Sequence, residues 1–352
     1  MEAFIPYIQA VGRGEKLKRD LTREEARQAL ELILAGKATP AQIGAFLITQ
    51  RVKGETAEEI IGFVEAARAV CHQLYPKLPD LLDLGTPYDG KARTPQLAVA
   101  IALITAAAGQ PVVLHGAPDV PTKRGITPAH VLSALGIPAD QPLSTVATQL
   151  ETLGIGYLHA PRFAPAWHAL TPIRQQFGLR TALNTVEKLL NPANATRCVV
   201  GFFHRNYLLR MRPAIGRLFP GSWLIQGIEG SIECRAGRTT RLYPADAEGK
   251  PLVIEAPRLG FATSDDTVVP PDPQLHAEVT QSILQDRPSP CRDTALLTAG
   301  VLLYLSGRVD RLADGLGQAR AVLAEGKALR LLADWRALSQ RTPYPTEASA
   351  AT

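Results

Sequence analysis

The chain reads Leu81-Leu-Asp-Leu84, then Gly85-Thr86-Pro87-Tyr88-Asp89-Gly90, then an alanine-rich stretch over 96–108, then Pro111-Val-Val-Leu-His115. A short apolar run bounded by glycine and proline predicts a buried strand. A longer run of Ala, Leu, Ile and Val with no breaker predicts a buried helix. Strand, helix and strand in so short a span make a βαβ unit. Its strands lie parallel, and such a sheet is covered on both faces.

The same grammar continues downstream. Residues 128–135 predict a helix, 198–203 a strand, 207–218 a helix and 223–226 a strand. An irregular stretch then runs to about Pro273. Helices over 273–284, 292–305, 308–324 and 327–338 close the chain. Upstream, the first 70 residues read as helices. Thr22 with Glu25, and Thr56 with Glu59, form capping boxes, and Thr39-Pro40 supplies an N-cap and first helical residue. Gly36 and Gly54 stop two of these helices. The predicted organisation is a helical domain over 1–75, completed by part of 164–195, and an α/β domain over 76–342 with a mostly parallel central sheet. A flexible tail is expected over 343–352.

The 352 residues are 46% hydrophobic and 20% charged, which excludes a disordered or collagen-like chain. The longest apolar runs, such as 97–108, fall short of the roughly 20 residues a bilayer span needs. Glu2 follows Met1, and no basic, then apolar, leader appears. Cys71, Cys198, Cys234 and Cys291 show no paired spacing, as in a reducing compartment. The expectation is a soluble cytoplasmic protein with no membrane partner. Charge is unevenly spread: residues 121–240 hold 13 Lys and Arg against 5 Asp and Glu, and the rest of the chain holds 25 against 28. The basic excess therefore sits in the middle third, where a polyanion or phosphorylated ligand would use it.

Along nearly its whole length the chain resembles anthranilate phosphoribosyltransferase and its relatives in glycosyltransferase family 3. The resemblance is carried by Asp20-Leu-Thr-Arg-Glu-Glu-Ala, Thr39-Pro-Ala-Gln-Ile-Gly-Ala-Phe-Leu and Lys53-Gly-Glu-Thr-Ala-Glu-Glu-Ile. Further on it is carried by Arg174-Gln-Gln-Phe-Gly-Leu-Arg180-Thr181, Asn184, Asn191-Pro192-Ala193, and Gly300-Val-Leu-Leu-Tyr-Leu through Gly326-Lys327-Ala328-Leu329. It implies that family's small helical domain and larger α/β domain, and a homodimer formed through the helical domain.

The chemistry that the family implies is poorly represented. Its pyrophosphate loop reads Gly-Thr-Gly-Gly-Asp-Gly, with bare amides around the anion. Gly85, Thr86, Asp89 and Gly90 remain of it. Pro87 has no N–H to donate, and Tyr88 brings a ring where glycine stood. The hydroxyls of Asn-Ile-Ser-Thr are replaced at Gln96-Leu97-Ala98. Lys-His-Gly-Asn-Arg becomes Leu114-His115-Gly116-Ala117-Pro118, keeping only His115 and Gly116. The Asp-Glu pair that holds magnesium is Ile232-Glu233, and a histidine expected at 164 is Ala164, although Arg174 persists. Amides, hydroxyls, cations and a metal ligand are lost together, which would remove most stabilisation of a phosphoribosyl transition state. No catalytic residue and no metal site are assigned, Glu233 being a remnant.

Basic residues surround the vacated pocket on this resemblance: Lys91, Arg93, Lys123, Arg124, Arg174, Arg180, Lys188 and Arg205. With Val11-Gly-Arg-Gly-Glu-Lys-Leu-Lys-Arg-Asp20, Pro121-Thr122-Lys123 and Gly227-x-Glu229-Gly230, they resemble a bacterial subgroup that keeps the dimeric fold, lacks transferase activity and binds nucleic acid. That resemblance implies DNA or RNA bound without sequence preference, and no cofactor. Tyr88 and Tyr207 are the candidates for stacking on bases. Two alternatives stand beside it. One is a divergent transferase acting on anthranilate or another aromatic amine, using magnesium with Asp89, Glu229 and Glu233. The other is a structural homologue whose cleft is filled by Tyr88 and Leu114.

Overall fold

A computed structural model describes residues 2–14, 16–246, 249–261 and 267–341. The tail expected over 343–352 lies outside the described residues. The N-terminal helices are α1 (Ile5–Gly12), α2 (Arg23–Leu34), α3 (Pro40–Lys53) and α4 (Ala57–Ala69). Thr22–Glu25 and Thr56–Glu59 close full capping boxes, and Thr39 closes a third with Gln42. Each box satisfies two amides that a helix start leaves bare. Helix α2 packs on α4 and α1 on α3, burying Phe4, Leu30, Phe46 and Phe63.

The α/β part runs β1 (Leu82–Gly85), α5 (Ala98–Ala107), β2 (Val112–Gly116), α6 (Pro128–Ala134), α7 (Leu143–Leu153) and β3 (Ile155–His159). Short helices α8 (Ala160–Phe163), α9 (Pro165–His168), α10 (Thr171–Phe177) and α11 (Leu183–Val186) return to the helical part, where α10 packs on α3 and α11 on α4. The chain then forms β4 (Arg197–Phe202), α12 (Arg205–Leu218), β5 (Trp223–Gln226), β6 (Thr239–Pro244) and β7 (Leu252–Glu255). It closes with α13 (Pro273–Leu284), α14 (Pro290–Leu305), α15 (Leu312–Ala324) and α16 (Lys327–Arg341).

The seven strands lie in the order β3-β2-β1-β4-β5-β6-β7. The first five are parallel, and β6 and β7 are antiparallel additions at one edge. Those two strands correct the expectation of an irregular stretch up to Pro273. Helix α5 is apolar all round and wholly buried between the sheet and α14, α15 and α16, as its composition predicts. One core joins the helical part to one face of the sheet, and a second lies under the other face. No helix among the described residues is long and apolar enough to cross a membrane.

Candidate functional site

Strand order reverses between β1 and β4, and ligands of open α/β sheets bind beyond the carboxyl ends of the strands at such a point. A cleft of about 310 Å³ lies there. The sheet side supplies Pro87 and Asp89 after β1, Phe202 and Phe203 around the end of β4, and Glu229 after β5. Arg51 of α3, with Arg180, Asn184 and Lys188, closes the other side.

The loop after β1 is closed on itself. Lys91 and Ile126 exchange both backbone hydrogen bonds at 2.9 Å, and the Gly125 amide donates to the Asp89 carbonyl at 2.9 Å. Gly90 has φ +69°, and a Cβ there would stand 2.3 Å from the Gly125 carbonyl oxygen, so only glycine fits. Gly85 and Thr86 are buried, and a Cβ on Gly85 would meet the Lys188 carbonyl oxygen at 2.8 Å.

Tyr88 turns inward. Its hydroxyl lies 2.5 Å from His115 Nδ1, and His115 Nε2 lies 3.1 Å from Asp83 Oδ1. The arrangement that satisfies all three has Nε2–H donating to Asp83 and the phenol donating to Nδ1. All three are buried, which raises the Tyr88 phenol well above its ordinary range. Tyr88 also packs edge-on to His115, beside Gly116. It therefore cannot stack on a base, and that expectation is corrected. Leu114, the other residue expected to fill the cleft, is packed in the core under the opposite face of the sheet.

Glu233 is met by an ammonium. Lys91 Nζ forms an ion pair with Glu233 Oε2, with 1% and 3% of the two side chains exposed. The Leu97 amide reaches the other carboxylate oxygen at 3.4 Å. Ile232 is fully buried in the apolar core. Among the described residues no cluster of three or more His, Cys, Asp or Glu is placed to hold a metal. Magnesium is commonly held through one or two carboxylates together with substrate phosphates, and the Glu233 carboxylate is already engaged by Lys91.

A second charge cluster borders the cleft. Arg180 grips Asp89 from Nε (2.8 Å) and Nη2 (2.6 and 2.9 Å), a bidentate pair that joins the α10–α11 segment to the β1 loop. Lys123 Nζ sits 3.6 Å from Asp89 and 3.3 Å from Glu229. Glu229 accepts the Ala92, Arg93 and Thr94 amides at 3.0–3.1 Å and the Thr94 hydroxyl at 3.0 Å. Burial opposes its charge, but these donors and Lys123 outweigh burial and bring its pKa to about 2. Glu229 adopts this position at φ +57°, a left-handed conformation that costs a non-glycine residue about 1–2 kcal/mol.

The eight cations expected around the cleft divide into three groups. Lys91, Arg174 and Lys188 are buried. Arg174 pairs with Glu187 at 2.8 Å, and Lys188 Nζ donates to the Gly201 carbonyl at 2.7 Å. Burial, with Arg180 nearby, lowers Lys188 to about 8. Lys91 and Arg174 are internal, which corrects their expected place around the cleft, whereas Lys188, though buried, does line it. Arg180 lines the cleft but is committed to Asp89, and the half-buried Lys123 is held between Asp89 and Glu229. Arg93, Arg124 and Arg205 are exposed and have no carboxylate partner among the described residues. Glu187 and Asp83 were not foreseen as partners. For Glu187 a signal existed: Glu187-Lys188 is a charged pair inside the apolar run from Val186 to Leu190.

Both halves of the chain match one family. Residues 5–71 match "Glycosyl transferase family, helical bundle domain" and residues 83–329 match "Glycosyl transferase family, a/b domain". Anthranilate phosphoribosyltransferase of Rhodopseudomonas palustris is 34% identical over 327 residues, covering 91% of this chain and 94% of that protein. That of Natronomonas pharaonis is 34% identical over 334 residues, covering 94% and 98%. The crystal structure of the Thermus thermophilus enzyme superposes with a TM-score of 0.84 at 29% identity, over 96% of this chain and 99% of that one. On sequence, on domain pairing and on fold, the chain belongs to the glycosyltransferase family of the anthranilate phosphoribosyltransferases.

Proposed function

We propose that this family member does not transfer phosphoribosyl groups and instead binds nucleic acid or another polyanion along the rim of its cleft, like the inactive bacterial subgroup it resembles. The observation that carries the first half is the Lys91 ammonium on Glu233: the one remaining carboxylate of the metal pair is already neutralised by a buried lysine. Pro87, Tyr88 and Ile232 remove an amide, ligand space and a second carboxylate from the same site. Without donors aimed at the developing charge, transfer loses its main source of rate.

The second half rests on three exposed arginines adjoining residues that line the cleft: Arg93, whose amide meets Glu229, Arg124, two positions after Thr122, and Arg205, next to His204, with Arg51 at the wall itself. Arginines of this kind neutralise backbone phosphates without reading bases. In this reading the protein works in the cytoplasm as a homodimer built through the helical domain, without metal or cofactor. Two grooves on one dimer then reinforce each other through effective concentration.

The test is fluorescence polarisation with single- and double-stranded oligonucleotides at two salt concentrations. Three phosphate contacts predict a log–log salt slope of roughly −2 to −3. The triple charge reversal Arg93→Glu, Arg124→Glu and Arg205→Glu is expected to abolish binding. Absence of binding at low salt, or magnesium-dependent pyrophosphate release with anthranilate or another aromatic amine, would overturn the reading.

A further inference from the structure

We infer that the mouth of the cleft at the β4–α12 corner takes one unpaired nucleobase, so that the protein holds single strands in preference to duplexes. Side chains alternate along a strand, and at the end of β4 this sets out a platform. Phe202 turns into the core with 2% of its surface exposed, and Phe203 turns outward with 42% exposed. The Phe203 ring stands edge-on to that of the exposed His204, with centroids 4.7 Å apart. Tyr207 and the buried Met211, both on α12, line the same cleft. Leu179, 47% exposed, comes from the opposite side, next to Arg180. A single exposed apolar side chain is ordinary. A phenylalanine and a leucine brought by different elements to the walls of one cleft make an apolar slot, which is what small-molecule sites are built from.

The polar groups choose the ligand. Asp89 and Glu229 are matched by Arg180 and Lys123, and the Lys188 ammonium is held by the Gly201 carbonyl. A ring without charge disturbs none of these pairings, whereas an anion inside the cleft would compete with Asp89 and Glu229 for their cations. Asn184 supplies an unmet donor. It lines the cleft, its Oδ1 accepts the Thr181 amide at 3.0 Å, and its Nδ2 is buried with no partner among the described residues. An unmet buried donor is a standing cost, and the edge of a base offers it carbonyl oxygens and ring nitrogens. The phosphates on either side of the base stay outside. Exposed Arg51 lines the cleft there, and exposed Arg205 stands next to His204. A flat neutral heterocycle carried between two phosphates fits this combination. In a duplex the base must first leave its stack and its partner, so the slot favours strands whose bases are already free.

This inference rests on the polyanion reading and names the form of nucleic acid that the reading leaves open. The test is fluorescence polarisation of the full-length protein at low salt with three labelled probes of equal length: oligothymidylate, the same strand made abasic throughout, and a duplex. The first two carry the same phosphates, so any difference between them reports the base. Oligothymidylate is expected to bind about five- to a hundredfold more tightly than the abasic strand, the range for one base stacked on an aromatic ring, and more tightly than the duplex. Phe203→Ala is expected to bring the abasic and base-bearing strands level. Equal affinity of the wild type for those two strands would overturn the inference and leave the polyanion reading standing. A duplex bound as tightly as oligothymidylate, or a folded Phe203→Ala variant that keeps the base preference, would do the same. The comparison of strands needs no variant, so it decides even if Phe203→Ala does not fold. Absence of binding to all three probes would overturn both readings together.

Discussion

Replacing Lys91 by methionine is expected to destabilise the protein by about 3–5 kcal/mol, the usual consequence of removing one partner from a buried ion pair. Methionine keeps the length of the aliphatic stem, so packing changes little and the loss is the ammonium itself. Glu233 would then be left with the Leu97 amide at 3.4 Å, in a position where 3% of its side chain reaches water. Unfolding entropy of about 2.1 cal/mol/K per residue, taken over 352 residues, converts this loss into a fall in melting temperature of about 4–7 °C. Calorimetry or thermal circular dichroism reads it directly. Two controls sharpen the test. Arg217→Met breaks an ion pair with Glu58 that is about half exposed on both sides, and it should cost less than about 1 kcal/mol. Adding Glu233→Gln to Lys91→Met removes the orphaned charge and should restore most of the lost stability. A Lys91→Met protein that melts with the wild type, or a double variant less stable than the single, would refute the claim that the lysine neutralises Glu233.

Tyr88→Phe removes the donor to His115 Nδ1 at 2.5 Å and leaves a buried acceptor unmet. Urea unfolding should show a loss of about 1–3 kcal/mol, and an unchanged midpoint would mean that the phenol carries no weight there. Lys188 gives a signed pH effect. Its folded-state pKa is about 8 against an ordinary value of 10.5, because burial disfavours the ammonium. Between those values the unfolded chain binds a proton that the folded protein does not. The residue's contribution is therefore fully favourable above 10.5 and declines as pH falls to 8. The stability difference between wild type and Lys188→Met, read from urea midpoints, should shift in favour of the wild type as pH rises across that window, and a difference that does not change with pH would refute the assignment.

The parts of the fold that were legible in the sequence are those fixed by neighbours along the chain. Thr22–Glu25 and Thr56–Glu59 announce helix starts because the capping partners are three residues apart, and α5 announces its burial by having no polar face. Strand β3 hides because Ile155-Gly-Tyr-Leu-His159 runs directly into helix α8 with no turn residue after it. Strand β6 hides because Thr239, Thr240 and Arg241 leave it no apolar run, and β7 because its own run, Leu252 to Ile254, is only three residues long. The site was legible as a list of substitutions and not as a set of pairings. Lys91 and Glu233 are 142 residues apart, and nothing local distinguishes a lysine that faces water from one that meets a buried carboxylate. The expected ring of free cations failed for this reason. Long-range pairing depends on which strand ends the sheet brings together, and that follows from strand order, which local pattern does not encode.

Taken one position at a time, the substitutions are losses; in three dimensions they are exchanges. A buried carboxylate left unpaired costs several kcal/mol, and at Glu233 the Lys91 ammonium supplies the positive charge. The half-buried amides of residues 92–94 likewise point at one spot, and the Glu229 carboxylate accepts all three. Tyr88, by packing on His115, occupies space that a glycine loop would leave open. A site decaying without replacement would leave its orphans at these positions. Buried polar atoms without partners do occur in this protein, at Asp83 Oδ2 and Asn184 Nδ2 among others, but Glu229 and the Lys91 ammonium are not among them. Both carboxylates that line the cleft, Asp89 and Glu229, therefore find their cations within the chain, which lets the loops that carry them hold their places without a ligand.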